Sequence, residues 1–300
     1  MRVDPRYVTS LVGSLDQTQL SEQKLTAELS SGVRVNSLSE DPLAAGENVL
    51  LLNQMQRDDS FTQSSNLVTG QLQVADSALG QVVSQLTEAV SLAIRANNGT
   101  MNADDRKAIS NQIAGIRGEV LSLANSSYQG QYIFAGGQTS TGPFTLSTGT
   151  SPATVTYNGD QGVNYLETPT GQKIQLNVPG DQIFDGSGAN SVFAALNSLV
   201  ADYSTDSVNP GQAVSDTQAL SGALSYVSQQ RVMVDNSITQ LSSATNAMSS
   251  EQTQLTAAQT NLMQADVANV ATQLALSKTQ QTALESVISQ LGSGSLFDKL

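Results

Sequence analysis

The sequence predicts a mainly α-helical fold with a β-rich insertion. The expected architecture is an elongated antiparallel helical bundle or coiled coil formed by the N- and C-terminal halves, with a small all-β domain at its tip. Thirteen positions from Leu220 to Leu262 are separated by alternating steps of four and three residues, and nine of them are apolar. This average period of 3.5 residues is typical of a helix that packs against other helices along one stripe. Neither Gly nor Pro occurs from Ala223 to Leu291, so nothing local ends the helix. The stretch between Tyr128 and Asp185 is rich in Gly and Pro, a composition typical of short strands joined by turns.

The length of the last helical stretch predicts a rod. A helix over residues 223–291 would be about 100 Å long, whereas a compact domain of this chain length has a radius of gyration of about 19 Å. The stripe shifts by a five-residue step between Leu262 and Val267. We expect order in the free subunit to end at that step.

The two ends of the chain carry matching helical seams. The first seam turns polar at Thr18 and Glu22, and the last turns polar at Ser277 and Gln281. An antiparallel pairing that sets Thr18 opposite Gln281 and Glu22 opposite Ser277 places polar layers where they can fix the register. The predicted seam residues, which we assign to assembly, are Val8, Leu11, Leu15, Leu25, Leu29, Val267, Val270, Leu274, Leu284, Ile288 and Leu291.

The remaining elements follow in order from local signals. Gly32 ends the first helix, and after a turn-rich stretch Asp41 is the expected N-cap of a helix with Pro42 in its first turn. That helix runs to about residue 97, and Asn102 or Asp104 caps the next one. Short alternating runs then form the β insertion, and helical pattern resumes at 189–203 and beyond residue 211.

Three domains are predicted from this order. Residues 1–40 and 263–300 form a terminal coiled-coil assembly domain. Residues 41–130 and 189–262 form a helical bundle, and residues 131–188 form a β-rich outer domain.

Composition excludes several functional classes. The formal net charge is −13, which argues against nucleic acid and against an anionic membrane surface as partners. The chain has no His and no Cys, so the commonest catalytic bases, nucleophiles and metal ligands are missing. We therefore expect no enzyme activity, no catalytic residue and no cofactor. Asp181 and Asp185 precede a glycine turn but do not follow the EF-hand spacing, so no metal site is predicted.

Nothing in the sequence predicts a cleaved signal or a membrane span. The start MRVDPRYVTS lacks the apolar core of a signal peptide, and no apolar run reaches the length that a bilayer requires. Two Asn-Xaa-Ser/Thr matches, at Asn98 and Asn125, are interpreted as chance matches.

Ordered motifs along the chain resemble one family. LSSGVRVN at 29–36 and SEDPLAA at 39–45 resemble the N-terminal signature of the flagellin superfamily, with Glu40 where that family usually has Asp. The stretch from Asp266 to Leu291 looks like its terminal helix. LAN at 123–125, GQYIFAGG at 130–137, PF at 143–144, YNGD at 157–160 and VPGDQIF at 178–184 are similar to its hook-associated branch. The signature-turn residues carried over are Ser31, Gly32, Arg34, Asn36, Asp41 and Pro42.

The resemblance implies a structural protein of the bacterial flagellum at the hook–filament junction. Such a protein would form a homo-oligomeric ring between the preceding hook-associated protein and flagellin. It would be exported unfolded by the flagellar type III apparatus to the outside of the cell, and it would use an export chaperone. The alternatives are a short filament flagellin with a reduced outer domain, a secreted helical adhesin or effector and, as the weakest, an enzyme.

Overall fold

The computed structural model describes residues 5–99, 101–147, 153–185, 191–205 and 209–293, with side chains between residues 6 and 290 of these ranges. The helices are α1 Pro5–Ser31, α2 Pro42–Ala96, α3 Ala103–Ala124, α4 Val192–Ser204, α5 Pro210–Met263 and α6 Val267–Ser293. The strands are β1 Ser127–Tyr128, β2 Gln131–Tyr132, β3 Phe144–Ser147, β4 Thr154–Tyr157, β5 Tyr165–Glu167 and β6 Lys173–Gln175. One π-helical turn spans Asp181–Asp185. The predicted fold class, mainly α with a β-rich insertion, is confirmed.

The predicted uninterrupted helix over residues 223–291 is wrong, because α5 ends at Met263 and α6 begins at Val267. Gln264 pairs with Val33 in an antiparallel bridge. Asp266 restarts the helix: its carboxylate accepts the Asn269 N–H at 3.0 Å. A contact with a distant part of the chain therefore ends the helix where no local breaker exists. The five-residue step in the apolar pattern lies at this break.

The chain divides into two compact units. Unit 1 comprises Met1–Arg57 and Ser250–Leu300, and unit 2 comprises Asp58–Ser249. Unit 1 contains α1, α6, the first part of α2 and the last part of α5. Unit 2 contains the rest of α2 and α5 together with α3, α4 and the strands. The predicted division into three domains stays a prediction, and its boundary at 188/189 lies outside the described residues.

Unit 2 is organised around a heptad seam of α5. Leu220, Val227, Val234, Leu241 and Met248 follow one another at seven-residue steps, and all five are buried. Side chains of α2, α3 and α4 are buried in the same apolar cluster, and those that exclude solvent completely are Leu79, Val82, Leu86, Ala89, Ala93, Ile113, Val120, Ala124, Val192, Leu196, Leu199 and Tyr203. The 3.5-residue period of the sequence therefore corresponds to a real packing seam.

Polar side chains tie the helices of unit 2 at two levels. Arg231 donates through Nε and Nη2 to the two carboxylate oxygens of Asp76, at 2.7 and 3.1 Å. At the other level, the Tyr203 hydroxyl donates to Asn97 Oδ1 at 2.9 Å, and Asn97 Nδ2 donates to Thr217 Oγ1 at 3.0 Å. The second network joins α2, α4 and α5, so the α2–α3 turn is anchored through Asn97.

The β insertion consists of three antiparallel two-stranded sheets, β1–β2, β3–β4 and β5–β6. Phe144 of β3 contacts Phe184 of the π-helical turn and Phe193 of α4, and its ring centroid is 5.3 Å from each of theirs. Phe134 meets Phe184 edge-on at 5.5 Å, a favoured aromatic geometry. Because these rings belong to the same buried cluster as the helices, the insertion packs directly on the bundle of unit 2.

Candidate functional site

Two chain segments of unit 1 meet where α1 turns into α2 and where α5 breaks before α6. Gly32 ends α1 with a φ of +69°, a left-handed conformation that glycine adopts without steric cost. Its carbonyl accepts the Ala265 N–H at 2.9 Å, and the Arg34 N–H donates to the Met263 carbonyl at 2.7 Å. Val35 and Ala265 are buried beside this pairing. We call residues 31–42 and 262–266 the paired turn.

Arg34 joins the two halves of the paired turn through its guanidinium. Nη2 donates to Asp41 Oδ2 at 3.1 Å and to the Leu262 carbonyl at 3.2 Å. The second bond satisfies a carbonyl in the last turn of α5, where no intrahelical donor follows. Asp41 Oδ1 in turn accepts the Ala44 N–H at 3.0 Å and caps α2. The Ala44 N–H and the Arg34 guanidinium hold the pKa of Asp41 below its usual range.

The other signature residues complete the same network. The Ser31 hydroxyl donates to Asn36 Oδ1 at 3.0 Å and accepts the Val33 N–H at 3.2 Å. Glu40 Oε2 accepts the Asn36 N–H at 2.7 Å. This bond is the main reason why the pKa of Glu40 lies below its usual range, and Lys24 adds to the effect. The structure thus brings Ser31, Gly32, Arg34, Asn36, Asp41 and Pro42 into one turn.

Helices α1 and α6 pack along each other within unit 1. The α1 seam residues Leu11, Leu15 and Leu25, with Thr18 and Glu22 between them, are buried or half-buried. On α6 the inward positions are Val270, Leu274, Ser277, Gln281, Leu284 and Ile288.

Three predicted seam residues lie at the surface of the single chain. Val8, Leu29 and Val267 are 38%, 37% and 51% exposed, and Glu28 is buried in place of Leu29. The Glu28 carboxylate lies 3.8 Å from Lys24 Nζ, which offsets the cost of its burial. Leu291 lies in α6, but its side chain is outside the described residues.

Exposed apolar side chains are concentrated in unit 1. Among the described residues, thirteen of the nineteen exposed large apolar side chains belong to it. They include Leu43 at 75% and Leu50 at 70% exposure on α2. Leu50 and Leu51 of α2 and Ala258 and Leu262 of α5 line an apolar groove of about 590 Å³. Exposed apolar surface on this scale is typical of a surface that other protein covers.

The sequence predicts no metal site at Asp181 and Asp185. Within residues 5–99, 101–147, 153–185, 191–205 and 209–293, no group of three carboxylates, His or Cys could hold a metal ion. Asp181 accepts a hydrogen bond from Gln161 Nε2 at 2.7 Å, and Asp185 accepts one from the Ser191 hydroxyl at 3.1 Å. In the same part of the chain, no helix has the length and hydropathy to span a bilayer.

Comparison with known proteins finds similarity to flagellar proteins. The bacterial flagellin N-terminal helical region matches residues 9–139. Flagellar hook-associated protein 3 of Escherichia coli K12 is 28% identical over 250 residues, covering 76% of this chain and 77% of that protein. The chain is thus similar to the flagellin N-terminal region and, over most of its length, to flagellar hook-associated protein 3. The same-named protein of Salmonella typhimurium is 29% identical over 182 residues, which span 60% of this chain and 56% of that protein.

Solved structures of the superfamily share the fold. A structure described as a flagellar hook-associated protein from Vibrio parahaemolyticus aligns with a TM-score of 0.67 at 18% identity, covering 75% of this chain and all of that one. Flagellar hook-associated protein-3 from Legionella pneumophila aligns with a TM-score of 0.62 at 14% identity, covering 71% and 98%. The family resemblance predicted from the motifs is confirmed.

Sequence reasoning missed the half of the site that lies on the C-terminal side. Leu262, Met263 and Ala265 contact the signature turn through backbone atoms, so their side-chain identities carry little signal. Asp266, an N-cap that directly follows a shift in the apolar stripe, could have indicated the break. Glu40 was noted only as a departure from the family pattern, yet it accepts two backbone N–H groups of the turn.

Proposed function

We propose that this protein is a structural subunit of the bacterial flagellum that joins the hook to the flagellin filament. Its unit 1 would contact neighbouring copies in a ring, with the preceding hook-associated protein on one side and flagellin on the other. The observation that carries the proposal is the concentration of exposed apolar side chains on unit 1. The names of the curated relatives support a place at the hook.

The burial pattern supports assembly rather than ligand binding. Among the described residues of unit 1, five apolar side chains are buried, namely Leu25, Val35, Ala44, Ala265 and Val270. Two long helices packed only on each other leave at least half of their surface open. Neighbouring chains can cover that surface, and burial of apolar area is the main favourable term in association. The proposed role is therefore structural, without an enzymatic step.

The paired turn gives the assembly surface a fixed geometry in this proposal. Arg34 holds the start of α2 to the end of α5 through Asp41 and the Leu262 carbonyl. Seam residues of α1 and α6 would then meet neighbouring chains at a defined angle. The terminal assembly domain, the bundle and the β-rich outer domain would be the working parts of the subunit.

Export and location complete the proposal. The subunit would pass unfolded through the flagellar export channel without a cleaved signal, accompanied by a chaperone, and would function outside the cell. The small insertion unfolds without disulfides to break, since the chain has no Cys.

The proposal is tested by locating the labelled chain on isolated flagella of a strain that lacks its own copy. Label confined to the hook end, together with restored attachment of filaments, is the expected result. Label along the whole filament would favour a short flagellin instead. Normal filaments without any label on them would contradict both readings.

A further inference from the structure

A cleft of about 320 Å³ lies in unit 2 where the β5–β6 hairpin approaches α5. Its floor is apolar, because Leu72, Val178 and Val234 line it and are each at most 7% exposed. The polar side chains around this floor are Lys173, Gln175, Asn177, Asn236, Ser237 and Gln240. An apolar floor with a few polar groups around it is typical of a binding site, and this volume is at the lower end of the usual range.

Two large apolar side chains of the cleft are open to solvent. Tyr165 of β5 is 57% exposed and Met233 of α5 is 47% exposed, and both line the cleft. They are two of the six exposed large apolar side chains among the described residues of unit 2. An occupant of the cleft would remove this apolar surface from water, which favours binding.

The strand that borders the cleft has a free edge. Within the ranges that the structure describes, β6 pairs only with β5. The Leu176 N–H, directly after β6, donates to the Asn164 carbonyl at 2.9 Å, so the backbone of residue 176 faces β5. Ladder bonds of an antiparallel pair fall on alternate residues, and the N–H and C=O groups of Lys173 and Gln175 therefore point away from β5. Unpaired groups on a strand edge are a template for a further strand.

The cleft carries a positive charge without a negative one. Its lining contains one ammonium group, that of Lys173, and no carboxylate. Glu167 lies opposite Lys173 in the β5–β6 register, but the described residues show no ion pair between the two side chains. In a chain whose net charge is −13, a free cation beside an apolar cleft favours an anionic occupant.

We propose that this cleft binds an extended, acidic peptide segment of a partner protein. The segment lies along β6 as an added strand and exchanges backbone hydrogen bonds with Lys173 and Gln175. One of its carboxylates meets the Lys173 ammonium, and an apolar side chain of the segment rests on Leu72 and Val234. Side chains two residues apart share one face of a strand, so the recognised motif has its acidic and apolar residues two apart. This binding is independent of the place of the subunit at the hook.

The test uses the full chain and short capped synthetic peptides. The first peptide has a central glutamate, valine two residues away on each side, and threonine elsewhere. The second has glutamine in place of the glutamate, and the third is the first with N-methyl groups on its central backbone nitrogens. Free glutarate represents a small carboxylate. Binding is followed by titration of the backbone amide NMR signals of the protein.

The first peptide should shift the amide signals of Lys173 and Gln175. The glutamine peptide should bind about three- to fivefold more weakly, which is the scale of a solvent-exposed ion pair. The N-methylated peptide should bind about tenfold more weakly, because backbone hydrogen bonds to the strand edge are lost. Glutarate should bind more weakly than the first peptide, because it reaches neither the edge nor the apolar floor.

Two lysine variants complete the test. Lys173→Met should abolish the preference for the glutamate peptide over the glutamine peptide. Lys107→Met on α3 is the matched control, because Lys107 is also exposed but does not line the cleft, and it should leave the preference unchanged. Equal binding of the first and the N-methylated peptide, a glutamate preference that survives Lys173→Met, or glutarate binding as tight as that of the first peptide would overturn the inference. The absence of signal shifts at Lys173 and Gln175 would overturn it as well.

Discussion

Unit 2 and unit 1 differ in how they use the same kind of helix. Unit 2 surrounds the heptad of α5 with three other helices and the aromatic cluster, and its largest apolar side chains are fully buried. Unit 1 packs α1 on α6 and leaves Leu43, Leu50 and Leu276 more than half exposed. A helix seam stabilises a unit only when enough neighbours cover it. Unit 2 finds those neighbours in its own chain, whereas we propose that unit 1 finds them in other chains.

The largest expected effect distinguishes a buried leucine from an exposed one. Leu86→Ala in unit 2 removes a side chain with no exposure and should lower the free energy of unfolding by about 2–5 kcal/mol. Leu50→Ala in unit 1 removes one that is 70% exposed and should change it by about 0.5 kcal/mol or less. Denaturant unfolding of the free chains measures both changes in the free energy of unfolding. Only Leu50→Ala should impair assembly while it leaves the stability of the free chain nearly unchanged. A large loss of stability in free Leu50→Ala would mean that unit 1 already has a core.

The next effect concerns the paired turn. Gly32→Val places a β-branched residue at a φ of +69° and should cost about 1–2 kcal/mol from backbone strain alone, since a Cβ there meets no neighbour within 4 Å. Hydrogen exchange should place the loss in unit 1. The control is Gly46→Ala in the interior of α2, which should instead stabilise the helix by about 0.5–1 kcal/mol. If Gly32→Val left hydrogen exchange in unit 1 and motility unchanged, the paired turn would have no role in assembly.

Individual carboxyls should also respond to pH in opposite directions. In unit 2, burial and the neighbouring Asp216 raise the pKa of Asp202 to about 6. Because this pKa is raised on folding, the protonated form stabilises the fold, and that stability is lost as the pH rises from about 4 to 7. Asp202→Asn should be relatively more stable than wild type at pH 7 than at pH 4. Asp160→Asn is a control for which we expect the opposite pH dependence, because the N–H groups of Gly137 and Gly162 lower the pKa of Asp160. The same pH slope in wild type and Asp202→Asn would exclude the effect.

The smallest effect lies at Asp41 in unit 1. Its pKa is lowered by the Ala44 N–H and by Arg34, so its contribution is present above the carboxyl's ordinary pKa and is lost as the pH falls through the lowered value. Asp41→Asn keeps a good N-cap but cannot ionise, so hydrogen exchange of the first turn of α2 should lose its acid dependence. If the variant kept the acid dependence of wild type, that dependence would have to come from other carboxyls.

The sequence predicted those parts of the fold that depend on local pattern. The α5 seam, the Gly32 stop, the Asp41 cap and the β insertion all have local signals, and the structure contains each of them. The resemblance to flagellar hook-associated protein 3 that the motifs predicted is also confirmed. The six residues predicted for the signature turn lie together in the structure, and their role in assembly stays a prediction.

The rest of the fold depends on contacts between distant residues. No local feature ends α5 at Met263. The bridge between Val33 and Gln264 does so through backbone atoms, and a sequence pattern does not report such contacts. Glu28 is buried in place of Leu29, and its carboxylate lies 3.8 Å from Lys24 Nζ. Phe144 and Phe184 pack against Phe193 of α4, so the insertion shares its core with helices that are separate from it in the sequence.

Hydrogen exchange of the free chain and of the assembled chain tests most directly whether unit 1 depends on its neighbours. In the dilute monomer, amides of α1 and α6 should exchange with little protection, while those of α3 and of α5 around Val227 should exchange only by global unfolding. In isolated hook–filament assemblies, α1 and α6 should become as protected as unit 2. Strong protection of α1 and α6 in the monomer, equal to that of unit 2, would contradict the account.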